Sequence, residues 1–210
     1  GNAIGTYAGF LMVGWLQSVP SPISAAQAIP PPPVQSVADC GRPTYASDQL
    51  VCSDAELLAL DRELGHLLAT VDLTTRVVPA SLVEPQEAWF RRRSLCAFSE
   101  RHADCLKAAY SERIAVMTEV GRASTAATER PKPATCRDAP WGSSHVLVRL
   151  TSEQAATVVD MEGRVLAVAF AAARGSDWSP AVRFTKEDAA IRFTTIDGTT
   201  IECQIRPAAD

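Results

Sequence analysis

The sequence predicts an α+β protein: a disulfide-stapled three-helix bundle, then a small antiparallel β-barrel or sandwich. Three observations carry this expectation. Apolar residues recur at helical spacing between Ser53 and Gly121. After Cys136 the pattern becomes alternation over short runs, separated by turn residues. Cys40, Cys52, Cys96, Cys105, Cys136 and Cys203 form an even set, which reads as disulfides made in an oxidising compartment. No Cys-x-x-Cys occurs and the three histidines are scattered, so no metal site is expected.

Residues 1–28 read as a secretory leader. The run AIGTYAGFLMVGWL from Ala3 to Leu16 is apolar, and Ala26-Gln27-Ala28 is a small-x-small cleavage signal. No Asp, Glu, Lys or Arg precedes Asp39. The run falls short of the roughly 20 apolar residues that a membrane span requires, so no stable span is expected after cleavage. Neither a starting Met nor a basic stretch precedes it, so the sequence is expected to begin within the leader or at a misassigned start. Residues 29–39, with Pro30 to Pro33, read as an extended polyproline spacer.

Residues 40–121 are expected to form the helical domain. Cys40 to Cys52 reads as a polar loop. Ser53-x-x-Glu56 is a capping box that starts a helix over 54–70, with Leu57, Leu60, Leu64, Leu67 and Leu68 as its apolar stripe. Ser81-x-x-Glu84 repeats the box ahead of a helix over 82–98. There Trp89, Arg93 and Cys96 share one face at i, i+4 and i+7. Glu87, Arg91 and Arg92 fall mostly on the other faces and can remain in water. A buried Arg93 needs an acceptor, and Asp61, beside the first stripe, is placed to provide it. Asp61, Trp89 and Arg93 are therefore read as structural. A third helix spans 104–120, with Leu106, Ala109, Tyr110, Ile114 and Met117 or Val116 inward and Gly121 as its stop. Two cysteine pairings suit this bundle. Local pairing joins Cys40 to Cys52 and Cys96 to Cys105, and is preferred; an antiparallel helix pair would also let Cys40 or Cys52 reach Cys96.

Residues 122–135 are small, polar and proline-punctuated, the composition of a linker. Residues 136–207 read as a β domain of six strands, over 144–151, 155–161, 164–171, 182–185, 189–195 and 199–205, with Asp197-Gly198 as a hairpin turn. Cys136 and Cys203 bracket it. Their bridge would close a ring of roughly 65 residues and stabilise by about 4 kcal/mol through loop-closure entropy.

The net charge of −4 argues against a nucleic-acid partner. There is no Gly-x-Ser-x-Gly, no phosphate-binding glycine loop and no nucleophile motif beside His66, His102 or His145. The chain is therefore not expected to be an enzyme or to need a cofactor.

Residues 40–117 carry Cys52, Leu60-Asp61, Gln86-x-x-Trp89-Phe90-x-x-Arg93-x-x-Cys96, Cys105, Tyr110 and Arg113-Ile114. In this combined spacing they resemble the LprI-type lysozyme-inhibitor family. In the β domain, Gly175, Trp178, Phe184-Thr185-Lys186 and Asp188-Ala189 form a second pattern. It is similar, more weakly, to that of the MliC-type inhibitors of c-type lysozyme, with Trp178 in the place of a family Tyr. Arg174 stands where the family has Ser, unless Ser176 takes that role, and Glu187 replaces a Gly. The resemblance implies a loop that plugs a lysozyme cleft, with Arg174, Gly175, Ser176, Trp178 and Lys186 as the contacts. Lys186 and Ser176 would reach the catalytic carboxyl groups, and Trp178 would stack where a sugar lies. It implies c-type lysozyme as the partner and a periplasmic or extracellular location. The alternative is a non-catalytic envelope-binding or scaffold module, with peptidoglycan as its partner.

Overall fold

A computed structural model of the chain describes residues 35–122, 130–152, 154–172 and 175–207. The expected leader, the polyproline run, part of the expected linker and Arg174 lie outside the described residues. Among the described residues no helix is long and apolar enough to cross a membrane. The architecture is α+β with a closed barrel, and the described residues pack as one unit.

In place of three helices the described chain forms five: α1 (Ala46–Ser53), α2 (Ala55–Thr70), α3 (Leu73–Arg76), α4 (Gln86–Ser94) and α5 (His102–Gly121). A 3-10 turn, Leu95–Phe98, extends α4. The helix α1 escapes the sequence pattern because its buried face carries Ser47 and Asp48 beside Val51, so it shows no apolar stripe. Its C-terminus also moves the next cap. Asp54 is the N-cap of α2, accepting from the Glu56 and Leu57 amides at 2.9 and 3.0 Å, while the Ser53 hydroxyl donates back to the Leu50 carbonyl. The Ser81 box likewise starts no helix. Leu82 donates its amide to the Leu166 carbonyl at 2.8 Å, and α4 begins only after Pro85. Leu57, Leu64, Trp89, Leu106, Ala109, Tyr110 and Met117 form the helical core, and Trp89 meets Tyr110 edge-on at 5.4 Å.

The barrel has seven strands in sequence order: β1 (Lys132–Arg137), β2 (His145–Ser152), β3 (Ala155–Val159), β4 (Val165–Phe170), β5 (Val182–Glu187), β6 (Ala190–Thr195) and β7 (Thr200–Ile205). The additional strand, β1, begins inside the expected linker. Only Ala134 and Cys136 point inward from it, too little alternation to register in sequence. Pro133 is tolerated because it lies at the rim, where its carbonyl accepts from the Arg206 amide. Cys136 faces Cys203 across the β1–β7 seam, and their disulfide lies in the core. The other bridges are Cys40–Cys52 and Cys96–Cys105, the local pairing.

Every neighbouring pair is antiparallel except β4 and β5, which are parallel and meet only at Phe170 and Arg183. The helical segment serves this thin seam. Val78 and Leu82, from the connector before α4, donate their amides to the Val165 and Leu166 carbonyls of β4 at 3.1 and 2.8 Å. They thereby satisfy part of an edge that would otherwise stay open. The helix α5 then covers the outer side of β2 to β4, packing Val116 and Val120 on Val159, Val165 and Val168. A buried ion pair fixes this contact: Glu119 accepts from Arg149 at 2.9 Å and from the Thr157 hydroxyl at 3.0 Å.

Candidate functional site

A parallel step from β4 to β5 forces the chain to cross over, and residues 171–181 make that crossing. Gly175 has φ +84, where an L side chain would be strained, and the Ser176 hydroxyl accepts from the Trp178 amide at 3.1 Å. The turn aims Trp178 away from the barrel and into the helical layer. Trp178 is 6 % exposed and belongs to the helical core. Its indole N–H donates to the Glu112 carboxylate, which also accepts from the Ala181 amide at 3.0 Å. The Arg92 guanidinium lies 3.8 Å above the indole ring. Arg92 is itself held by both Glu84 oxygens, at 2.9 and 2.8 Å, and donates to the Ser179 carbonyl at 2.7 Å. Towards the tip, Ser99 donates to Asp177 and Arg101 to the Gly175 carbonyl. Burial pushes the Glu112 carboxyl above its ordinary pKa, against the hydrogen bonds from Ala181 and Trp178 and the charge of Arg92.

Beside this junction runs an open groove of about 430 Å³, lined by Arg92, Leu95, Phe98, Trp178, Ile196 and the Cys96–Cys105 disulfide, among others. Leu95, Phe98 and Ile196 are 61, 87 and 58 % exposed. Large apolar side chains gathered at one surface groove mark an interaction site more often than scattered ones do.

The structure divides the residues named from sequence. Gly175 and Ser176 lie at the loop tip, exposed and half-buried respectively. Trp178 is not a free stacking surface: the helical layer covers it. Arg174 lies outside the described residues. Lys186 is exposed on the inward-facing register of β5, beyond Val182 and Phe184. It stands about 13 Å along the strand from Val182 and makes no hydrogen bond or ion pair with a described residue.

The structural trio is rearranged as well. Arg93 pairs with Asp48 at 2.6 Å, both wholly buried, and not with Asp61. The reason is α1, which carries Asp48 to the guanidinium. Asp61 instead accepts from the Tyr110 hydroxyl at 2.7 Å and the Ala38 amide at 3.0 Å. Burial raises the Tyr110 phenol far above its ordinary range, so it donates as the neutral form. The Trp89 indole donates to the Ala109 carbonyl at 3.2 Å. Arg92 is not a solvated residue but the hub of the junction. Arg113 is buried against Gln86 and the Glu84 carbonyl, and burial lowers its pKa to about 10.

The His102 ring nitrogen lies 2.9 Å from the Ser47 hydroxyl, but Ser47 is wholly buried and also donates to the Ser94 carbonyl. This contact ties α1 to the start of α5. Among the described residues no group of His, Cys, Asp and Glu is arranged to hold a metal ion.

Asp48, Arg92 and Glu112 were missed from sequence. Glu112 carries one retrospective signal: it lies between Ala109, Tyr110 and Arg113, Val116, all buried on α5. Comparison with protein-family models, with curated proteins and with solved structures finds no match to the chain.

Proposed function

We propose that the chain is an exported inhibitor of a c-type lysozyme that obstructs the enzyme's cleft with the loop between β4 and β5. One observation carries the reading. The loop tip, Gly175 to Asp177, stands at the surface while the residues that follow it, Trp178 to Ala181, are fastened to α4 and α5. A protruding segment already held in one conformation loses little entropy on binding, which is what obstruction of a cleft needs. Trp178 acts in this reading as the anchor of the loop rather than as a sugar mimic. Ser176 and the exposed Leu95, Phe98 and Ile196 supply nearby contacts, and Lys186 is a second contact along β5. The LprI-like and MliC-like residue patterns favour the same target class. Three disulfides suit a periplasmic or extracellular setting. The net charge of −4 favours encounter with a basic enzyme. The chain is on this view a binder and not a catalyst.

Clearing of a cell-wall suspension by c-type lysozyme tests the proposal. The purified protein in micromolar excess is expected to slow clearing; unchanged clearing removes the reading. Lys186→Ala is expected to weaken inhibition, and full retention would confine the contact to the loop.

The burial of Trp178 favours a second reading, a non-catalytic envelope-binding module that grips its partner at the Leu95, Phe98 and Ile196 groove. Sedimentation with peptidoglycan, together with no effect on lysozyme, would select it.

A further inference from the structure

We propose that the helical layer is a latch for the β4–β5 loop: Arg92 and Glu112 hold Trp178 docked, and loosening their grip releases residues 175–180 as a unit, up to Ala181, which stays tied to the Ile196 amide. This deepens the inhibitor reading, and rests on it for its biological consequence, because a released loop no longer presents a fixed tip.

The contacts separate into strong and weak. Glu112 is a buried carboxylate that accepts both the indole N–H and the Ala181 amide, so it grips the loop on either side of Pro180. Arg92 covers the indole face, and its bond to the Ser179 carbonyl at 2.7 Å is exposed, so its hold comes chiefly from the stacked guanidinium. Hydrogen bonds to charged groups that are shielded from water are the stronger class. The tip contacts, Ser99 to Asp177 and Arg101 to the Gly175 carbonyl, are exposed and contribute little. The side-chain hold on the loop is therefore concentrated in Arg92, Glu112 and Trp178, and the Ile196 amide fixes its C-terminal end by donating to the Ala181 carbonyl at 3.0 Å.

The hold is also separable from the rest of the fold. Arg92 keeps both Glu84 oxygens whether or not the indole is present, so the guanidinium needs no new partner when the loop leaves. The barrel closes through β1 to β7 and the Cys136–Cys203 bridge, neither of which passes through the loop. The parallel contact of β4 with β5 is the single pair Phe170 and Arg183, and Val78 and Leu82 support β4 independently. Trp178 borders the groove at Leu95 and Phe98, so open space already adjoins the indole. Local opening is expected where few buried contacts fasten a segment to a stable frame.

Hydrogen exchange of the full chain, read by peptide, tests the latch without any lysozyme. Arg92→Ala is expected to speed exchange of the 177–181 amides roughly tenfold or more, as loss of a charge-assisted contact implies. Exchange in β6 and β7 should stay at the wild-type rate. Trp178→Phe keeps most of the buried ring and removes the N–H donor; it is expected to accelerate the same amides to a smaller extent. Unchanged exchange over 177–181 in Arg92→Ala, or acceleration shared equally by β6 and β7, overturns the latch. Lysozyme clearing is measured separately with the same proteins. Failure of the wild type to inhibit removes the inhibitor reading and leaves the exchange result standing. Inhibition that persists undiminished in a variant with a released loop shows that the latch does not govern the inhibitory surface.

Discussion

Arg93 and Asp48 illustrate what a single residue pair demands in this fold. Both side chains are fully excluded from solvent, and Arg93 also lies 4.1 Å from the Phe90 ring centre. Asp48→Ala would strand a buried guanidinium, and is expected to cost about 3–5 kcal/mol in denaturant unfolding. Adding Arg93→Met should recover much of that loss; a single-variant cost below about 1 kcal/mol would contradict the pairing. Glu112 makes a pH-dependent contribution whose sign follows from its raised pKa. The folded state binds that proton more tightly than the unfolded state, so the contribution is complete below the ordinary value of 4.5. It is lost as pH rises through the raised value. Glu112→Gln does not titrate. The stability difference, wild type minus variant, should therefore grow in favour of wild type as pH falls from neutral into the carboxylate range. A difference independent of pH would contradict the assignment.

At the scale of elements, caps and edges decide where the helices begin. Asp54 caps α2 and Ser53 does not. Asp54→Ala should destabilise by about 1 kcal/mol and Ser53→Ala by clearly less, by thermal or denaturant melts; the reverse order would restore the Ser53 box. The longer elements were legible in sequence. Leu57 and Leu64 mark α2, Leu106, Ala109 and Tyr110 mark α5, and the turn at Asp197-Gly198 marks β6 and β7. The helix α1 was not legible because it buries Ser47 and Asp48, and β1 was not because its inward positions are only Ala134 and Cys136. The expected start of α4 at Leu82 failed for a different reason: Leu82 gives its amide to β4, a contact between segments distant in sequence.

Across the whole molecule, the barrel and helical layer share contacts that no local pattern encodes. Trp178 leaves the barrel to enter the helical core, Glu119 reaches Arg149 and Thr157, and Val78 and Leu82 serve β4. This is why sequence could nominate Gly175, Ser176 and Trp178 as neighbours on one loop, yet misjudge which of them faces solvent. Their positions depend on Arg92 and Glu112, which lie 86 and 66 residues before Trp178. The same contacts set the surface that the inhibitor proposal requires: a fixed tip at 175–177 flanked by Leu95, Phe98 and Ile196. Hydrogen exchange with and without stoichiometric c-type lysozyme tests that proposal most directly. The account predicts slowed exchange over 175–179 and 95–99 in the mixture, with strands β6 and β7 unaffected. Unchanged exchange over both segments, or protection confined to β6 and β7, would contradict it.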